Sequence, residues 1–303
     1  MKILLIRIIG NNLPGLHGKD QVYTNLKFTL ENEPEFPDTT KGFILNRIID
    51  RKEKNKIKKL LSKYSVAVWD LPFERGVYDS LPEFEVNDYK IMLKLCNKHE
   101  MNLPQLLQTI KQKSRLQNLY VLNHNGCKNK CFEIGVEAGF DWILPFSNST
   151  FFTKHEFKEL HRSLVYYCDH DVFYNTVSTV RLDDSNTPNG TLITQDYSVS
   201  PNEHVPQICF RRDAPLTYNK IIPLGSGAEE ELLNSLRIPG PWSEEEVYRQ
   251  LHSVSCRSCE HVKLGKNGVV YRLNTFCKEN TSQNRDTLQV YGTLNLLSRI
   301  NVS

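Results

Sequence analysis

The opening residues restrict the fold more than any later stretch. Residues 2–9 read KILLIRII, an apolar run without polar alternation, and Gly10-Asn11-Asn12 closes it with a turn signal. Such a run is a buried strand, and the segments after it set the class. Val22, Leu26 and Leu30 recur at a spacing of four within 21–32, one face of a helix that stops before Pro34. A second strand spans 42–50 (GFILNRIID). A basic amphipathic helix over 51–63 turns Ile57, Leu60 and Leu61 inward, and a third strand covers 65–73. Its charge run reads as a solvated face. Strand and helix in alternation define an α/β chain.

Beyond residue 73 the pattern loosens. A polar insert runs from about 74 to 115, with helical pieces at 90–98 and 106–113. Strands are expected at 119–123 (LYVLN), 141–146 (DWILPF), 172–182 and 206–212, and helices at 128–138, 157–168 and 228–237. Residues 241–303 are polar and weakly periodic. They read as an extension packed on a body formed by 1–240.

No apolar run approaches the ~20 residues that span a bilayer, so no transmembrane segment is expected. The opening run contains Arg7 and lacks a small-residue cleavage site, so it reads as a first buried strand and no leader is expected. The eight cysteines therefore read as reduced thiols in a cytoplasmic setting. Cys256 and Cys259 form a lone CxxC, with Cys277, His252 or His261 as conceivable further ligands; without a second CxxC, no zinc site is expected. The sequons at Asn148, Asn189, Asn280 and Asn301 read as chance matches in that setting. A net charge of +3 is too small for a general nucleic-acid binder, and no nucleic-acid partner is expected.

In open α/β sheets ligands bind beyond the carboxyl ends of the strands. The residues found there are Gly10, Asn11 and Asn12, then Arg47 and Asp50, then NHNGCKN (123–129), then Ser147, Asn148 and Ser149. Asn125, Lys128 and Asn129 sit where a helix begins, and free backbone N–H groups there favour an anion such as a diphosphate. Lys128 adds a point charge, and Asn129 can bond a ribose or sugar hydroxyl. Each residue alone also fits an ordinary cap or turn. A second candidate is PLGSGAEEELLNSL (223–236). Counting back from Leu232, Leu233 and Leu236 turns Glu229 inward, puts Glu230 at the margin and Glu231 outward. Asp213 is the reserve carboxylate.

The strand, the NHNGCKN helix start (123–129) and the polar triplet after the next strand resemble the donor half of GT-A nucleotide-sugar glycosyltransferases. RIIGNNLPGLHG, NLKFTLENEPEF, FILNRIID and WILPFSNSTFFT resemble more closely a small group of viral and bacterial GT-A-like proteins. That group includes the glycosyltransferases with which chloroviruses build their capsid glycans, and the resemblance covers roughly residues 1–240. It implies a GT-A-like, Rossmann-like fold, with a mixed central sheet flanked by helices, and sugar transfer with inversion from a UDP-sugar, UDP-xylose above others. The implied acceptor is an oligosaccharide, a fucose-containing viral capsid N-glycan, and the implied location is the host cytoplasm. Glu229 is then the base, with Glu230 and Asp213 in reserve. The donor is held by Arg7, Gly10, Asn11, Asn12, Arg47, Asp50, Asn125, Lys128, Asn129, Ser147, Asn148, Ser149, Arg211 and Arg212.

One departure from the family concerns metal. GT-A enzymes usually place Asp-x-Asp where this chain has Ser147-Asn148-Ser149, and neutral oxygens are poor ligands for a hard dication. Either the enzyme works without Mn²⁺ or Mg²⁺, with Lys128, Arg211 or Arg212 neutralising the diphosphate, or it has lost activity; the first is expected. The competing readings are a nucleotidyltransferase-like enzyme, which needs a divalent metal, and a non-catalytic nucleotide-sugar- or glycan-binding protein.

Overall fold

The structure is a computed structural model that describes residues 1–96, 103–182, 205–227, 229–240, 263–273 and 285–302. Its strands are β1 (Ile3–Ile9), β2 (Thr39–Asn46), β3 (Ala67–Leu71), β4 (Trp142–Ser147), β5 (Thr150–Phe151), β6 (Val172–Arg181), β7 (Gln207–Arg211) and β8 (Lys263–Arg272). They form one mixed sheet in the order β3-β2-β1-β4-β7-β6-β8-β5. The first four strands of that order are parallel; β7 runs antiparallel to both β4 and β6, and β8 lies parallel to β6. β1 sits inside the parallel half, which explains its unbroken apolar character. A strand covered on both faces has no solvent side on which to place polar residues.

Helices supply that cover. α1 (Gln21–Asn32) and α2 (Arg51–Leu61) bury Leu26, Ile57 and Leu60 against Ile9, Phe43 and Leu45. α7 (His124–Glu137) packs Cys127, Cys131 and Ile134 onto Leu4, Ile6 and Ile143 of the opposite face. α8 (Lys154–Cys168) brings Phe157 and Leu160 to Ile3, Leu5 and Leu144. Each such side chain contributes about 1.5–3 kcal/mol when fully buried. The remaining helices are α3 (Arg75–Asp79), α4 (Val86–Cys96), α5 (Leu103–Lys113), α6 (Arg115–Val121), α9 (Glu230–Ser235) and α10 (Arg285–Val302).

Two segments differ from expectation. LYVLN is not a strand; most of it lies in α6, where Gln117, Asn118, Val121 and Leu122 are buried at helical spacing. Tyr120 and Val121 favour strands locally, but the helix and its C-cap are tied from afar. Gln117 donates to the Pro82 carbonyl, and Asn46 donates to the Leu122 carbonyl at 2.7 Å. Tertiary bonds override the local preference.

Residues 263–273 and 285–302 do more than trail behind the body. β8 enters the sheet between β6 and β5, and α10 packs on α4 and α5. Leu294, Leu297 and Ile300 of α10 share an apolar cluster with Leu13 and Leu16 of the loop after β1. That loop approaches α10 so closely that a Cβ at Gly292 would lie 3.0 Å from the Leu13 side chain. Among the described residues, no helix is long and apolar enough to cross a membrane. Cys256, Cys259 and Cys277, together with His252 and His261, lie outside the described residues.

Candidate functional site

β1 pairs with β2 on one side and β4 on the other, so the chain's path reverses between β1 and β4. A crevice opens at the carboxyl ends of such neighbours. Gly10 and Asn11 enter it from β1, Asn46 from β2, and Ser147, Asn148 and Ser149 from β4. His124 and Lys128 reach it from α7, and Arg272 from the end of β8. Among the described residues that line it, none is Asp or Glu.

The polar triplet after β4 is fixed by its surroundings. The Ser147 and Ser149 hydroxyls lie 3.0 Å apart, and Asn148 donates its amide to the Val22 carbonyl of α1 at 2.9 Å. The Leu273 N–H donates to the Ser149 carbonyl at 2.8 Å, so the chain leaving β8 locks the turn and delivers Arg272 beside it. Asn11 is a strut: it donates to the Arg47 carbonyl and accepts from the Ile49 N–H, both at 2.9 Å. His17 also lines the crevice. Burial, reinforced by the Arg272 charge, pushes its pKa down to about 4, so the ring is neutral at pH 7.

Behind the lining residues Lys128 and His124 lies a carboxylate, Glu229. Lys128 Nζ bonds Glu229 Oε1 and lies 4.5 Å from the Tyr218 ring centroid. His124 Nε2 approaches the same carboxylate oxygen at 3.2 Å. Burial alone would raise the Glu229 pKa, but the Lys128 charge and the His124 bond hold it well below the usual carboxylate range. Burial likewise works against the Lys128 charge, and Glu229 outweighs it, so the ammonium persists. For His124 burial wins over the Glu229 bond and lowers the pKa. Glu230 moves up, through burial and the adjacent Glu229 charge.

Several predicted residues do not face the crevice. Arg7 is fully buried, pairs with Glu33 and donates Nε to the Thr150 carbonyl at 2.8 Å. Arg47 donates to the Tyr120 carbonyl with its guanidinium 4.1 Å from that ring. Asp50 caps α2, accepting from the Lys52 and Glu53 N–H groups. Asn12 donates to Gly18 at 3.4 Å. Asn125 and Asn129 hold the 218–219 segment against α7 through the Asn219 carbonyl and both backbone groups of Tyr218.

Arg211, Arg212 and Asp213 are separated from the crevice altogether. Because β7 runs antiparallel to β4, Arg211 pairs with Trp142 at the amino end of β4, and it bonds Asp213 at 2.6 Å. Arg212 sits beside Asp141 there. Strand direction is not encoded in any local pattern, and an antiparallel β7 puts these residues at the opposite end of the sheet from the one expected.

Glu231 also departs from the expected outward position. It is buried, accepting from Ser235 Oγ at 3.1 Å. The helix starts at Glu230 and lasts only six residues, so a wheel drawn back through Glu229 misplaces the acidic run.

His124, His17, Arg272 and Gln289 of the crevice escape the sequence reading. Val269-Val270-Tyr271 is an apolar signal capable of marking β8 and hence Arg272. Nothing local marks the His124–Glu229 contact, which spans 105 positions.

No protein-family model matches the sequence, and no curated protein matches it. Solved structures similar to it include S. aureus TarS in a UDP complex, at 9% identity and TM-score 0.39 over 98% of this chain and 65% of that one. A longer TarS structure matches at 10% identity and TM-score 0.38 over 96% of this chain, which spans only 38% of that one. Mouse xyloside xylosyltransferase 1 matches at 9% identity and TM-score 0.30, over 96% of this chain and 93% of that one. Likeness at this level says nothing of this chain's own activity.

Proposed function

We propose that this chain is a GT-A-like glycosyltransferase that moves a sugar from a UDP-sugar to a hydroxyl of an oligosaccharide, with inversion. UDP-xylose is the proposed donor and a fucose-containing viral capsid N-glycan the proposed acceptor. One observation carries the reading. The crevice at the β1/β4 switch point brings the Arg272 and Lys128 side chains to one lining that holds no carboxylate among the described residues, an environment suited to a diphosphate. In the reaction, the acceptor hydroxyl loses its proton to a base and attacks C1 of the sugar. The nucleoside diphosphate leaves from the opposite face with the bonding electron pair, stabilised by the cations. A cytosolic setting is part of the proposal, and Cys127, Cys131, Cys168 and Cys209 are unpaired thiols.

The Mn²⁺ or Mg²⁺ that the family resemblance implies does not fit the residues present. The serine hydroxyls after β4 bond each other and the Asn148 amide is committed to Val22, leaving neutral oxygens where a hard cation requires carboxylates. The test is a screen of UDP- and GDP-sugars for hydrolysis and thermal stabilisation, with and without EDTA. UDP-xylose is expected to stabilise and to turn over, with EDTA changing the rate by less than about twofold. Turnover that collapses on chelation and returns with Mn²⁺ refutes metal independence. Donor binding without even slow hydrolysis identifies a binding protein instead.

A further inference from the structure

The carboxylate expected to act as base is already committed. Glu229 is anionic and bonded to the buried Lys128 ammonium, which leaves it a weak proton acceptor. His124 stands beside it, lines the crevice, and is about a quarter exposed at 24%. An ionised carboxylate only accepts hydrogen bonds, so the 3.2 Å contact requires the proton on Nε2 and leaves a lone pair on Nδ1. Nδ1 is then the nitrogen left to accept a proton. An imidazole whose far nitrogen is fixed by a carboxylate is the usual construction of a side-chain base.

Building on the glycosyltransferase reading, we propose that His124 is the catalytic base and that Glu229 is its positioning residue. The acceptor O–H bond breaks and its proton passes to Nδ1. The acceptor oxygen forms the new bond to C1 as the C1–O bond to the diphosphate breaks, the diphosphate keeping that electron pair. The resulting imidazolium is stabilised by Glu229 and returns its proton to water after the product leaves. The charged groups facing the ring are Glu229 at the start of α9, Lys128 one turn along α7, and Arg272 from β8. Burial places the ring's pKa below the ordinary 6.5, so the base form prevails at neutral pH and activity falls as pH drops through that pKa.

The experiment compares wild type, His124→Gly, His124→Gln and Glu229→Gln in full-length protein, with UDP-sugar turnover and UDP affinity measured together. Both His124 variants are expected to lose about 10²–10⁴ in turnover with UDP affinity changed by less than about threefold. Added imidazole should restore turnover to His124→Gly. The acid limb of the rate profile should vanish in His124→Gln. In Glu229→Gln it should move to lower pH, because the anion that favours the imidazolium is gone; a purely structural role would not move it. Retained turnover in His124→Gln, or an acid limb unchanged by both substitutions, overturns the assignment while leaving the glycosyltransferase reading intact. A wild type that neither binds UDP nor turns over any UDP-sugar overturns both.

Discussion

Replacing Arg7 by Met separates a structural role from a ligand-binding one. Arg7 and Glu33 have side chains 0% and 1% exposed, and they lie on β1 and just after α1. Removing the guanidinium leaves the Glu33 carboxylate buried with the Phe152 N–H at 2.8 Å and Lys41 at 3.8 Å. Breaking one side of a buried ion pair costs about 3–5 kcal/mol, and the two remaining partners of Glu33 put Arg7→Met near the lower figure. Glu33→Gln strands the arginine in turn. The double variant Arg7→Met/Glu33→Gln removes both charges and should recover at least about 1–2 kcal/mol relative to the sum of the singles. Urea unfolding followed by Trp69 and Trp142 fluorescence measures all three against wild type. UDP affinity should change by less than about threefold, whereas a guanidinium bonded to the diphosphate would cost at least tenfold. Single losses below about 1 kcal/mol, strictly additive effects, or a tenfold loss of UDP affinity would refute the reasoning.

Three further outcomes are expected. Arg272→Met should weaken UDP binding by about 10–100-fold in calorimetry, the loss of a charge-assisted hydrogen bond, while circular dichroism stays unchanged. His17 is neutral in the fold with a pKa of about 4 and takes up a proton near 6.5 when unfolded. Its contribution is therefore complete above pH 6.5 and lost as pH falls toward 4, roughly 3 kcal/mol at most. His17→Gln should flatten the urea-midpoint profile across that window. Asp213→Asn, at the amino end of β4, should leave UDP-sugar turnover within about twofold of wild type, measured under the same conditions.

Periodicity and runs are local properties, and they located most of the framework. The unbroken apolar β1, the 22/26/30 spacing of α1 and the inward face of α2 each follow from a few adjacent residues. The observed elements fall there with boundary shifts of a few residues. The same logic put Gly10, Asn11, Ser147, Asn148, Ser149 and Lys128 at one crevice, because parallel strands joined by helices present their carboxyl ends together.

Local pattern reached no further than that. It could not show that β7 runs antiparallel and carries Arg211 to Asp213 away from the crevice, nor that LYVLN would be held helical by bonds to Pro82 and Asn46. Nor could it show that β8, near the end of the chain, would deliver Arg272 beside Ser149. The Lys128–Glu229–His124 cluster joins positions about a hundred residues apart, and its charges are set by burial that exists only once α7 and the start of α9 have packed. The sequence by itself determined the parallel α/β frame and the end of it at which a ligand sits. The tertiary structure decided which charges meet there, because strand direction and desolvation belong to the packed molecule and to no segment of it.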